Sequence, residues 1–144
     1  MGHPRPHLLI YDGDCGFCEF AVRLAVRFDR LEQFSYRPWQ SLSAAEFVAF
    51  GVTPDDCASA VRIVTADGGA LSGAEAINYF LRQRPIGRFV VGLLEAAPLL
   101  LALEVRLYRL IADNRRKISW LLGLRACRIA APNPAEYPVK YPVE

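Results

Sequence analysis

Two cysteines separated by two residues follow a short apolar run near the start of this 144-residue chain. The run, residues 7–11, has the composition of a buried strand, and the Asp-Gly-Asp sequence at 12–14 ends it. Cys15 and Cys18 then open a segment with helical periodicity. Three-residue spacing on one helical turn brings two Cα atoms within disulfide range, about 5–6 Å. The sequence therefore predicts that a strand, a turn and a helix N-terminus meet at this pair.

The hydrophobic pattern that follows predicts an α/β fold. A strand, a helix and a second strand that stops at Pro38 are typical of a right-handed β-α-β unit with parallel strands. The Asp-Gly-Gly sequence at 67–69 predicts a hairpin, and Ser72 with Glu75 predicts a capping box that opens the next helix. Strands are predicted at 7–11, 34–37, 60–65 and 70–71, and helices at 18–31, 43–50 and 72–82.

The chain beyond Pro85 is predicted to be wholly helical. Its longest apolar stretch, 89–103, contains Glu95 and Pro98 and is shorter than the roughly 18–20 residues of a membrane-spanning helix, so we expect a buried helix pair. One apolar stripe of the second helix contains Leu99, Leu100, Leu103, Leu107, Leu110 and Ile111. We expect one domain over residues 1–131, with the helical extension from about residue 86, and an extended proline-rich tail at 132–144.

A cysteine pair at a helix N-terminus favours redox chemistry. Unpaired N–H groups and the positive end of the helix dipole stabilise a thiolate on the first cysteine, and such thiols have pKa values of roughly 3.5–7.5. We therefore expect Cys15, at the exposed end, to attack, and the more buried Cys18 to resolve the mixed disulfide. Asp14 is expected either to oppose the thiolate or to cap the helix, and Asp12 to act as a general base toward Cys18.

Residues from three parts of the chain are expected beside the pair, because parallel strands end at one edge of a sheet, where α/β sites form. Trp39 and Gln40 follow the second strand. The third strand is expected to run antiparallel, which brings residues 58–60 to the same edge and Cys57 close to Cys15. Cys57 is then either a third exchanging thiol or a small buried hydrophobic residue. The residues expected to contact substrate are Gly16, Phe17, Trp39, Gln40 and Ser59.

Composition narrows the classes of partner. Lys and Arg number 17 and Asp and Glu 15, a net charge of +2, which gives no reason to expect nucleic acid. The N-terminus lacks a secretory apolar region of about 7–15 residues, so we expect a cytoplasmic location. Basic residues concentrate in the last third, as either a solvated face or a site for an anionic partner or a membrane surface. No glycine-rich phosphate loop occurs, so no organic cofactor is expected.

Two other functions are compatible with the motif. Cys15 and Cys18 could form half of a zinc site, completed by Cys57 and Cys127, in a redox-sensing or metal-binding interaction module. An apolar strand ending in Asp-x-Asp is also similar to the opening of haloacid-dehalogenase-type phosphatases, with Asp12 as nucleophile, Asp14 as acid/base and Mg²⁺ between them. We favour metal-free redox chemistry, because the sequence has no second Cys-x-x-Cys and a phosphatase would leave both cysteines unexplained.

An ordered series of motifs resembles the DCC family of thiol-disulfide oxidoreductases. It covers roughly residues 8–130, at 12–18, 38–40, 67–68, 73–76, 108–115 and 123–127. The resemblance implies a thioredoxin-like fold, with Cys15 and Cys18 as a redox pair that acts on thiols or disulfides of proteins or small molecules. One departure concerns the segment before the third strand, where thioredoxins place a cis-proline. Here residues 57–60 read Cys-Ala-Ser-Ala, which argues against thioredoxin-style substrate docking.

Overall fold

A four-stranded mixed sheet forms the centre of the molecule. The computed structural model describes residues 7–124. The strands are β1 (His7–Tyr11), β2 (Phe34–Pro38), β3 (Arg62–Val64) and β4 (Ala70–Ser72). They lie in the order β2-β1-β3-β4, with β1 and β2 parallel and the other neighbouring strands antiparallel. The predicted antiparallel direction of the third strand is therefore confirmed.

Six α-helices and one short 3₁₀ turn, Trp39–Ser41, accompany this sheet within residues 7–124. The helices are α1 (Gly16–Phe28), α2 (Ala44–Phe50), α3 (Pro54–Ser59), α4 (Gly73–Arg82), α5 (Pro85–Ala96) and α6 (Pro98–Leu121). Helix α1 connects the parallel strands β1 and β2, and β3 with β4 forms the predicted hairpin. This mixed α/β architecture is consistent with a thioredoxin-like fold.

The central strand β1 is buried on both faces of the sheet. Leu9 and Tyr11 lie in a cluster with side chains of α1 and α4. Leu8 and Ile10 lie in a second cluster with Cys57 of α3 and side chains of α2. The near-continuous apolar run of β1 follows from this position, since both faces of the strand are covered.

Helix α6 is attached to the sheet and to α4 through its inner face. Tyr108 Oη accepts a hydrogen bond from the backbone N–H of Val61 at 3.2 Å, and Asn78 Nδ2 donates to Glu104 at 3.0 Å. Gly73, the first residue of α4, has a φ of +59° and lies against the Tyr108 ring. A Cβ at this position would lie 3.0 Å from Tyr108 Cε1. Helix α6 is therefore held against α4 and the segment before β3 by specific hydrogen bonds.

Replacing Gly73 with alanine is expected to lower the free energy of unfolding by about 1–2 kcal/mol, because an L-residue is strained at positive φ. The crowded Tyr108 ring adds to this cost. Gly92→Ala is the matched control, since its added Cβ meets no atom within 4 Å and it lies inside α5. That variant should gain up to about 1 kcal/mol. Urea unfolding measures both, and equal effects would contradict this account of Gly73.

The N-termini of helices α3 and α4 differ from what the sequence predicted. Helix α3 is absent from the predicted elements, although Thr53 and Asp56 form a capping box in which each backbone N–H donates to the other side chain at 3.1 Å. This helix shortens the third strand from the predicted 60–65 to 62–64. The capping box predicted at Ser72 is wrong, because Ser72 still belongs to β4, where it pairs with Arg62, and its side chain makes no capping bond.

The predicted helix pair is present as α5 and α6, but the prediction that it is buried is wrong. Leu99 is 82% exposed and Leu103 60% exposed. Within residues 7–124 no single helix is long and apolar enough to cross a bilayer, and α5 and α6 meet those criteria only together, bent by 110°. The predicted tail at 132–144 lies outside the described residues.

Candidate active site

Cys15 is the N-cap of helix α1. Its Sγ accepts a hydrogen bond from the backbone N–H of Cys18 at 3.2 Å, and the two Sγ atoms lie 2.6 Å apart as free thiols. The helix begins at Gly16, two residues earlier than predicted, so both sulfurs lie at its first turn. The expectation that Asp14 caps the helix is wrong, because Cys15 holds that position and Asp14 is exposed.

The surroundings shift the pKa values of the two thiols in opposite directions. The hydrogen bond donated by the Cys18 thiol is the largest influence that lowers the pKa of Cys15, to about 6. The Cys18 backbone N–H and the Arg115 cation act in the same direction, against burial and the Asp12 carboxylate. The same thiol–thiol hydrogen bond, followed by burial, raises the pKa of Cys18. Near neutral pH the pair therefore holds a thiolate on Cys15 and a proton on Cys18.

The more accessible cysteine is not the one that the sequence suggested. Cys15 is 2% exposed and Cys18 is half-buried, so the expectation of an exposed Cys15 is wrong. Helix α6 crosses the N-terminus of α1 here, and the backbone N–H of Phe17 donates to Ser119 Oγ at 2.8 Å. Cys15 is therefore covered by its neighbours in this structure.

A carboxylate and an amide organise the loop before Cys15. Asp12 is buried, and its Oδ1 accepts hydrogen bonds from the Asp14 N–H at 3.1 Å and from Gln40 Nε2 at 2.9 Å. Gln40 also accepts from the Gly13 N–H at 3.0 Å and donates to Asp14 Oδ2 at 3.2 Å. The structure thus brings Gln40 to the cysteine loop, as the ends of the parallel strands predicted.

Arg115 of α6 links the loop that contains Asp12 to the segment that precedes β3. Its Nη2 lies 3.3 Å from Asp12 Oδ2, and the guanidinium donates to the backbone carbonyls of Ala58 and Ser59. Residues 58 and 59 therefore reach the edge predicted for them, although the Ser59 hydroxyl is exposed and donates to the Asp56 carbonyl. Sequence reasoning missed Arg115 as a site residue; the only signal was its place in the 108–115 segment of the family resemblance.

Comparison with known protein families gives a match whose chemistry agrees with the geometry of the cysteine pair. Residues 9–121 match the DCC1-like thiol-disulfide oxidoreductases, a span that includes the cysteine pair, Asp12, Gln40 and Arg115. The chain belongs to the DCC1-like thiol-disulfide oxidoreductase family. Comparison with curated proteins and with solved structures gives no match. The resemblance seen in the sequence is therefore confirmed. The general activity of this family is oxidoreductase chemistry on thiols and disulfides.

Two further residues that the sequence predicted near the site belong to the second hydrophobic cluster or pack against it. Cys57 is 1% exposed, packs with Leu8 and Ile10, and has its pKa raised by burial. Trp39 packs against the same cluster. The position of Cys57 fits the hydrophobic role considered for it, whereas Trp39 was expected to contact substrate. Cys127, the fourth cysteine, lies outside the described residues.

An apolar cavity of about 150 Å³ adjoins the pair, between the sheet and helices α1, α4 and α6. Its walls include Phe17, Cys18, Phe80, Tyr108 and Arg115, and Cys57 also reaches it. The polar groups at the wall are thus those of the redox site, while the remainder is hydrocarbon.

Metal-binding side chains do not converge in the part of the DCC1-like chain that the structure describes. Within residues 7–124 no group of three or more His, Cys, Asp or Glu residues lies close enough together to hold an ion. Arg115 is the cation that pairs with the Asp12 carboxylate there.

Proposed function

We propose that this protein, as a thioredoxin-like domain, exchanges a Cys15–Cys18 disulfide or dithiol with thiol and disulfide substrates. The observation that carries the proposal is the hydrogen-bonded pair at the start of α1, where Cys15 Sγ accepts from both the thiol and the N–H of Cys18. A thiolate at this position is the attacking species in disulfide exchange, and a thiol within bonding range completes the cycle.

The reaction of the reduced protein with a disulfide proceeds in two steps. The Cys15 thiolate attacks one substrate sulfur, forms a mixed disulfide and releases the other sulfur as a thiolate. Cys18 then loses its proton and attacks Cys15 Sγ, which forms the Cys15–Cys18 disulfide and releases the second substrate thiol. Two electrons leave the cysteine pair, and one substrate disulfide becomes one thiolate and one thiol, which takes up the proton that Cys18 loses. The reverse sequence oxidises a substrate dithiol.

Asp12 is the proposed proton acceptor for Cys18 in the second step. Its carboxylate is buried beside the pair and hydrogen-bonded by Gln40, and Arg115 keeps a positive charge against it. Asp14 is exposed and is the proposed negative charge at the substrate side of the loop. Gly16, Phe17, Trp39, Gln40 and Ser59 remain the proposed substrate contacts.

The proposed substrates are thiols and disulfides of proteins or small molecules in the cytoplasm, and the proposed chemistry needs no organic cofactor. A reducing compartment keeps a low-pKa cysteine pair available as a dithiol. The direction of exchange depends on the reduction potential of the pair. A potential near about −270 mV favours reduction of substrates, and one near about −120 mV favours their oxidation.

The proposal is tested by equilibrating the protein in glutathione buffers and counting free thiols by mass. We expect a reversible two-electron couple that Cys57→Ser retains and that Cys15→Ser and Cys18→Ser each lose. If the two thiols never pair in the unsubstituted protein, the proposal fails. Zinc content of the same preparation then decides whether the metal-binding alternative takes its place.

The rate of exchange is expected to follow ionisation of Cys15. Because its pKa is lowered to about 6, the rate should fall about tenfold per pH unit below 6 and level off above 7. Cys18→Ala removes the thiol donor, which is the largest cause of the low pKa, so the midpoint should move to higher pH. Cys18→Ser keeps a donor and should move it less. Thiolate absorbance at 240 nm measures the midpoints, and identical midpoints in all three proteins would contradict the assigned cause.

Cys57 is the proposed third thiol. In Cys18→Ser under mild oxidant, a Cys15–Cys57 disulfide detected by peptide mass mapping would support exchange between them. Complete absence of that species would leave Cys57 with the packing role that its burial indicates.

A further inference from the structure

Helices α5 and α6 carry large apolar side chains that face solvent at helical spacing. We call them the apolar stripe; it consists of Ile86, Phe89, Val90 and Leu93 of α5 and Leu99, Leu103, Leu107 and Leu110 of α6. Exposure within the stripe runs from 43% at Val90 to 82% at Leu99. Soluble monomers seldom expose apolar surface of this extent, and when they do it marks an interaction site.

The orientation of α6 is set by specific contacts on the face opposite the stripe. Tyr108, Arg115 and Ser119 hydrogen-bond to the sheet edge and to α1. At 100° per residue these three positions lie on the side of α6 opposite Leu103 and Leu110. The stripe is therefore the outer surface of an anchored helix.

Positive charge borders the stripe. Arg106 and Lys117 fall next to the leucines on the helical wheel. Arg109 and Arg116 lie further round the same flank, about 115–135° from the centre of the stripe. In the described part of the chain none of these four cations takes part in an ion pair. One carboxylate, Asp113, falls among these four cations on the helical wheel. Four positive charges and one negative charge leave this flank of α6 with a net charge of +3.

We propose that the apolar stripe and its basic border dock on the surface of an anionic lipid bilayer. Leucine and phenylalanine on one face with Arg and Lys beside them are the pattern of helices that lie in the membrane interface. Helices α5 and α6 together, although bent by 110°, have the length and hydropathy of a membrane segment. A protein partner is less suited, because a basic flank beside an apolar stripe matches anionic headgroups next to acyl chains. This proposal is independent of the exchange reaction.

Co-sedimentation with lipid vesicles tests the proposal. We expect the full-length protein to bind vesicles of phosphatidylcholine with phosphatidylglycerol, to bind phosphatidylcholine alone at least about tenfold less, and to dissociate as salt rises. Leu103→Glu with Leu107→Glu, and separately Arg106→Glu with Lys117→Glu, should each reduce binding at least about tenfold. Val48→Glu on α2, where Val48 is 83% exposed, is the control for an exposed apolar side chain outside the stripe and should bind as the unsubstituted protein does.

Each result of these binding measurements either supports or overturns membrane docking of the apolar stripe. Circular dichroism establishes that every variant is folded before binding is compared. No binding to either vesicle, or equal binding by Leu103→Glu with Leu107→Glu and by Val48→Glu, would overturn the proposal. Light scattering of the protein alone adds a second check: a dimer that the leucine substitutions dissociate, together with no vesicle binding, would assign the stripe to a second copy of the chain instead.

Discussion

Replacing Cys15 with serine should reduce exchange with glutathione disulfide to the uncatalysed rate. A hydroxyl does not ionise near neutral pH, so the pair loses the thiolate that the Cys18 thiol, its N–H and Arg115 stabilise. Mass spectrometry after exposure to glutathione disulfide measures the result. Cys15→Ser should gain no glutathione at the active site, whereas Cys18→Ser should hold one glutathione as a stable mixed disulfide on Cys15.

Cys57→Ser provides the control for this experiment, because Cys57 is also buried but has its pKa raised rather than lowered. It should exchange at nearly the rate of the unsubstituted protein. If Cys15→Ser instead keeps the rate and Cys18→Ser loses it, the order of attack is reversed and Cys18, the half-buried cysteine, is the nucleophile.

Replacing Arg115 with methionine should have the second largest effect, on both stability and reactivity. The Arg115 and Asp12 side chains are 15% and 7% exposed, and removal of one partner leaves the other charge buried, at a cost of about 3 kcal/mol. The pKa of Cys15 should rise, because a cation that stabilises its thiolate is lost while the Asp12 carboxylate remains. Urea unfolding and the 240 nm titration measure the two effects.

Arg116→Met is the matched control, since Arg116 is the exposed neighbour on the same helix. It should change neither the unfolding free energy nor the titration midpoint appreciably. Arg115→Lys should fall between the two, because an ammonium keeps the charge but cannot span Asp12 and the carbonyls of residues 58 and 59 as a planar guanidinium does. An unchanged titration midpoint in Arg115→Met would show that Arg115 does not lower the pKa of Cys15.

The sheet and the position of the cysteine pair could be predicted because their signals are local. The apolar run of β1, the Asp-Gly-Asp break and the turn at 67–69 each determine structure within a few residues. Parallel pairing of β1 and β2 then brings the residues after each strand together, which is why Gln40 was expected beside the cysteines. The missed helix α3 also had a local signal, in Thr53-Pro54 followed by Asp56.

The contribution of α6 to the site could not be predicted from hydrophobic periodicity. The strongest apolar stripe of this helix faces outward, whereas its inner face includes polar and small residues such as Arg115, Ser119 and Ala112. The usual assumption that the apolar face is the buried face therefore selects the wrong side. The hydrogen bond from Phe17 to Ser119 joins residues 102 positions apart, and no local pattern records such a pairing.

The same long-range contacts affect how the protein acquires reactivity during synthesis. The cysteine pair is made early, but Arg115 and Ser119, which contact Asp12 and Phe17, follow only after the whole sheet and α5. A nascent chain that ends before α6 has the thiols without the neighbouring cation. Because Arg115 is a smaller cause of the low Cys15 pKa than the hydrogen bond from the Cys18 thiol, we expect such a truncated chain to carry a moderately less acidic cysteine than the finished protein.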